Sequence, residues 1–147
     1  MYSTILVPLD GSKRAEAILP HVENMALCYS SKVILLQVIE PLPLLIDGVN
    51  PIPDMVDHEH HLKAAQAYLA ARQGEFKEKG IGVKTVITQG PIVSEIINVA
   101  AAEGAELIAM ASHGRTGLAR VFYGSVAAGV LHRVDRPLLL IRAEGDE

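Results

Sequence analysis

At 147 residues the chain has the length of one ordinary domain, and with 50% apolar and 20% charged residues it has globular composition, outside the polar, highly charged range of disordered chains. A net charge of −4 and one cysteine, Cys28, exclude a strongly basic nucleic-acid binder, an intrachain disulfide and a cysteine-based zinc site. The amino terminus lacks a basic region followed by a long apolar run, and no apolar stretch approaches the roughly 20 residues that cross a bilayer. The expectation is therefore a cytoplasmic protein without membrane or nucleic-acid partners, with Cys28 as a small core residue.

Short β-branched runs alternate with longer amphipathic stretches, the pattern of a parallel sheet buried on both faces. The first strand is expected over Thr4 to Leu9. Asp10-Gly11-Ser12 follows, with Ser12 placed to cap a helix over Lys13 to Tyr29 that Pro20 interrupts. Lys32 to Ile39 is the second strand. The stretch from Pro41 to Pro53 is too rich in proline for a central strand and reads as a connection. A long helix from Asp54 to Lys79 stops at Gly80. Gly82 to Thr88 is the third strand, and Ile92 to Glu103 is a helix with one apolar face, closed by Gly104. A fourth strand over Leu107 to Ala111 leads into a glycine-containing loop, then a helix from about Ser125, then a fifth strand over Pro137 to Arg142. Right-handed crossovers favour a five-stranded parallel sheet in the order 3-2-1-4-5, with helices on both faces, as one α/β domain spanning residues 1–147.

In such a sheet the ligand crevice lies beyond the carboxyl ends of the strands, where the strand order reverses. That places two segments at one site: Pro8-Leu9-Asp10-Gly11 and Ala111-Ser112-His113-Gly114-Arg115-Thr116-Gly117. Asp10 has two readings, an acceptor for ribose hydroxyls or a metal shell, and a cap for the helix that follows. Gly114 and Gly117 let backbone approach an anion, Gly124-Ser125 opens a helix whose free N–H groups attract phosphate, and Arg115 and Arg120 add positive charge. Asp54, Asp57, His58, Glu59, His60 and His61 crowd the start of the long helix, where acidic residues suit the helix dipole. His113 with a nearby serine lacks the G-x-S-x-G setting of a hydrolase, and no Walker or kinase sequence is present.

The stretch Ala111-x2-Gly114-x9-Gly124-Ser125 is similar to the G-x2-G-x9-G-[ST] pattern of ATP-binding universal stress proteins, with alanine in place of the first glycine. If Ala111 had to adopt a left-handed conformation the exchange would cost about 1 kcal/mol. Ile5-Leu6-Val7-Pro8-Leu9-Asp10-Gly11-Ser12 and Arg136-Pro137-Leu138-Leu139-Leu140-Ile141 also resemble the family. The resemblance implies adenine and ribose against Pro8, Leu9, Asp10 and Val38, with the backbone near Met110 and Ala111 closing that side. It implies phosphates at Gly114, Arg115, Gly124, Ser125, Val126 and Ala127, with Mg2+ or Mn2+ bridging them. It further implies a homodimer through the last strand, and a stress-response protein that binds ATP rather than turning it over. Slow ATP hydrolysis or adenylyl transfer, and a dimeric interaction module that binds AMP, cyclic AMP or no nucleotide, are the alternatives.

Overall fold

The computed structural model describes residues 1–40, 55–112 and 125–143. Five strands form one parallel sheet: β1 (Thr4–Pro8), β2 (Lys32–Ile39), β3 (Val83–Gln89), β4 (Leu107–Ser112) and β5 (Leu138–Arg142), in the order β3-β2-β1-β4-β5. Four α-helices connect them: α1 (Leu19–Tyr29), α2 (Met55–Glu78), α3 (Ile92–Ala102) and α4 (Ser125–Arg133). The expected architecture and strand order are those observed.

Alternation along each strand divides the core in two. Ile5 and Val7 of β1, with Val33 and Leu35 of β2, are fully buried in a cluster that includes Ile18, Val22, Leu69 and Phe76 from the α1 and α2 side. Leu6, Ile34, Leu36 and Ile108 face the other way, against Ile96 and Ala100 of α3 and Ala127 and Val130 of α4. Covering both faces with helices is what makes the strands read as nearly continuous apolar runs.

The first helix departs from the expectation. Ala15–Ile18 forms a 3-10 turn, and the α-helix begins only at Leu19, with Pro20 in its first turn. Pro20 has no N–H to donate to the carbonyl of Glu16, so that carbonyl accepts instead from the N–H of Leu19, the shorter i+3 bond of a 3-10 turn. Within the first turn of α1 the missing donor costs nothing. Ser12 accordingly caps the 3-10 turn, its Oγ accepting from the Ala15 N–H at 3.2 Å. Cys28 is exposed rather than in the core. The buried stripe of α1 runs through Leu19, Val22 and Ala26, and at 100° per residue Cys28 lies on the opposite side of the helix from Ala26.

β1 and β4 part company early. They pair only at Ile5 with Leu107 and Leu6 with Ile108, whereas β1 stays paired with β2 as far as Pro8 and Leu36, and β4 with β5 as far as Ser112 and Arg142. The cause is in the sequence. Odd-numbered residues of β1 direct their backbone groups at β2: the Ser3 carbonyl accepts from Lys32, and Leu9 donates to the Leu36 carbonyl at 2.8 Å. Even-numbered residues address β4, as the Thr4 carbonyl does by accepting from Glu106. After Leu6, Pro8 is the next residue whose N–H would reach toward β4, and it has none. The ladder ends there and a crevice opens at the reversal of strand order.

Candidate nucleotide-binding site

That crevice holds a cavity of about 600 Å3, part of it open to solvent. Its floor is made by the ends of three strands: Pro8, Leu9 and Asp10 after β1, Leu36 and Val38 of β2, and Met110 and Ala111 of β4. Ile92 and Ile96 of α3 and Val126 and Ala127 of α4 form the walls, with Ala15 at the rim. The lining is almost wholly apolar, and Asp10 is the one ionisable side chain among the described lining residues. An apolar slot with a single carboxylate suits a flat, weakly polar ring carrying hydroxyl groups.

Asp10 serves the turn and leaves capacity for a ligand. One carboxylate oxygen accepts from the backbone N–H of Ser12 at 2.9 Å, fixing the bend that Gly11 makes at a φ of +88°. Among the described residues its second oxygen carries no hydrogen bond, and the side chain is exposed at the cavity mouth. The capping role read from the sequence thus falls on the turn at Ser12 and not on the helix, which begins at Leu19.

The first turn of α4 supplies the other polar feature. The N–H groups at a helix start lack intrahelical partners and carry the positive end of the dipole. Val126 and Ala127, which line the cavity, belong to that turn. Ser125 begins the helix and is exposed; it is not among the residues that line the cavity. Gly114, Arg115 and Gly124 lie outside the described residues. Ala111, which replaces the first glycine of the pattern, lies within β4 opposite Ile141, and Tyr2 and Ser30 are the only non-glycine residues at positive φ among those described. The left-handed strain considered for alanine does not arise.

Leu36, Ile92, Ile96 and Ala15 also line the cavity and were not singled out from the sequence. Leu36 was within reach, because it lies two residues before Val38 and so shares its face of the strand. Ile92 and Ile96 stand one helical turn apart on the apolar face of α3, but nothing local says that this face overhangs a crevice. Ala15 gives no sequence signal. His58, His60 and His61 are exposed on α2, and among the described residues no three His, Cys, Asp or Glu side chains converge to hold a metal ion.

The position of α4 over the cavity depends on one glycine. A Cβ on Gly129 would lie 2.7 Å from Cγ2 of Val93 on α3, so a larger residue there would require the Val93 side chain or one of the helices to shift.

The sequence profile described as Universal stress protein family matches residues 1–142. Universal stress protein MJ0577 of Methanocaldococcus jannaschii is 32% identical, over 97% of this chain and 96% of its own. The solved structure of MJ0577 superposes with a TM-score of 0.78 at 29% identity, covering 99% of both chains. A universal stress protein solved in complex with cAMP has the same fold, with a TM-score of 0.72 at 20% identity over 97% of this chain and 98% of that one.

Proposed function

The chain belongs to the universal stress protein family, and from that premise we propose that it binds an adenine nucleotide, ATP foremost, at the carboxyl edge of its sheet as a regulatory stress-response protein. The observation that carries this reading is the cavity between β1 and β4, in which eight residues named from the sequence, Pro8, Leu9, Asp10, Val38, Met110, Ala111, Val126 and Ala127, meet around one space. The adenine ring lies between the apolar side chains of Val38 and Met110, and the free oxygen of Asp10 accepts from a ribose hydroxyl. The phosphates lie toward the first turn of α4, where Ser125 offers a hydroxyl and the backbone offers unpaired N–H groups. A divalent ion would be carried on the phosphate oxygens.

Binding rather than rapid turnover is part of this reading, since the sequence carries neither a Walker nor a kinase motif. The relative in complex with cAMP makes the cyclic nucleotide the second reading. Among the described residues no helix is long and apolar enough to cross a membrane.

The Asp10→Asn variant separates the two duties of this residue. The amide oxygen still accepts from Ser12, so thermal stability is expected to hold. Loss of a charge-assisted hydrogen bond to ribose is expected to weaken ATP about tenfold, roughly 1.4 kcal/mol. Calorimetry showing parental affinity would remove Asp10 from the site.

A homodimer through β5 is part of the same reading. β5 stands at one edge of the sheet, and Leu138 through Ile141 are all only half-buried. An apolar edge strand with unpaired backbone groups is a surface that a second copy can extend. Sedimentation equilibrium is expected to give twice the chain mass, and a Leu140→Pro variant, which removes an N–H from β5, is expected to shift it toward monomer; a monomeric parent protein would contradict this.

A further inference from the structure

The turn that carries Asp10 is built from short-range bonds. Ser12 donates its N–H to Asp10 at 2.9 Å, Ala15 donates to Ser12 Oγ at 3.2 Å, and Ala17 donates to the Arg14 carbonyl at 3.2 Å. All three stay within the segment, and 3-10 geometry gives poorer backbone bonds than an α-helix. Such a segment opens easily unless a side chain ties it to a rigid element.

Glu16 makes that tie. It directly follows Ala15, which stands at the rim of the cavity, and its carboxylate is turned to α2. There Oε2 accepts from the Tyr68 hydroxyl at 2.6 Å and from Arg72 Nη1 at 3.2 Å. Both charged side chains are largely buried, Arg72 at 22% exposed and Glu16 at 24%, where solvent screens a charge-assisted bond less than at the surface.

The two donors are themselves fixed. Arg72 occupies a core-facing position of α2, in register with the buried Ala65, Leu69 and Phe76, and an arginine so placed requires a partner. Its other terminal nitrogen is paired with Glu75 at 2.9 Å, and its guanidinium lies over the Tyr68 ring at 5.3 Å. Burial first, and then the bond to Glu16, raise the Tyr68 pKa well above the usual tyrosine range, so the hydroxyl stays a neutral donor. A continuous chain of bonds therefore runs from α2 to the cavity mouth: Tyr68 and Arg72 to Glu16, its neighbour Ala15 to Ser12, and Ser12 to Asp10.

We propose that Tyr68 and Arg72 are positioning residues that act through Glu16 to fix the Asp10 turn. The α2 helix thereby sets where the Asp10 carboxylate stands before a ligand arrives. The effect on ATP rests on the nucleotide reading of the cavity; the effect on the turn does not.

Tyr68→Phe removes the hydroxyl and keeps the ring beneath Arg72, whereas Glu16→Gln keeps an acceptor for both donors. In the whole protein free of nucleotide, exchange of the Ser12 and Ala15 amides with water, followed by NMR, is expected to quicken about fivefold in Tyr68→Phe and about tenfold in Glu16→Ala, with Glu16→Gln close to the parent. ATP affinity measured by calorimetry is expected to fall about fivefold in Tyr68→Phe. In an Asp10→Asn background the same substitution is expected to cost less than about twofold, because the charge it positions is already gone. A role in general stability alone would give the same factor in both backgrounds. Unchanged exchange of both amides in Tyr68→Phe and Glu16→Ala overturns the proposal, as does an equal loss of ATP affinity in the two backgrounds. A parent protein that binds no ATP removes the nucleotide reading, and the amide exchange alone then decides whether α2 holds the turn.

Discussion

Ala127→Phe is expected to lower ATP affinity at least about 100-fold, close to 2.8 kcal/mol, in a protein that still folds. Ala127 is 2% exposed in the first turn of α4 and lines the cavity beside Ile96 and Met110. A phenyl group there extends into the cavity proposed for the nucleotide, and so it competes with the ligand. Some overpacking accompanies it, about 1–3 kcal/mol. Thermal unfolding with and without ligand distinguishes the two effects. ATP at about 100 times its dissociation constant adds about 2.7 kcal/mol to the stability of a protein that binds it, and the parent is expected to show the corresponding rise in Tm. The variant is expected to melt cooperatively at one temperature in both conditions. A variant that ATP stabilises as much as the parent would place the nucleotide elsewhere.

Gly129→Ala carries the second large effect, this time on the fold beside the site. In an isolated helix the change favours folding by about 1 kcal/mol. Here the new Cβ meets Val93 at 2.7 Å, and either α4 lifts from α3 or Val93 leaves its position. Net destabilisation of up to about 2 kcal/mol is expected once helix propensity is set against overpacking. Because Val126 and Ala127 ride on the same helix, nucleotide affinity is expected to fall with it. Val93→Ala in the same chain relieves the contact, and denaturant unfolding of the single and double variants is expected to show recovery of most of the loss. Strictly additive effects would mean that the two positions do not meet.

These two residues illustrate what the sequence makes legible. Strand positions and their order follow from apolar runs, stop signals and the handedness of crossovers, and the stops at Gly80 and Gly104 do adopt positive φ. The crevice follows in turn, because strand order alone locates where β1 and β4 must separate. Residues next to it in the chain, such as Pro8, Asp10 and Ala111, could then be named, and the family resemblance added Val38. Gly129 could not. A glycine within a helical pattern signals a close approach only when the partner helix is known, and Val93 is 36 positions away. The overhang of Ile92 and Ile96 is hidden for the same reason, since helical periodicity reports that a face is apolar and not what it covers.

Other differences are local and physical. Pro20 reads as an interruption inside a helix, yet the chain moves the helix start forward so that proline falls in the first turn. Cys28 reads as core by residue type, yet its angular position on α1 turns it to solvent. Ala111 reads as a strained substitute for glycine, yet its strand conformation demands no glycine at all. In each case the tendency of the residue type gave way to its place in the element.

The claim that most needs measurement is nucleotide binding itself, and calorimetric titration of the purified protein with ATP in the presence of Mg2+, followed by cAMP, addresses it most directly. Saturable binding of ATP with a dissociation constant on the order of micromolar, about −8 kcal/mol, is the predicted result; the absence of heat for either adenine nucleotide at concentrations roughly a thousandfold higher, near −4 kcal/mol, would contradict it.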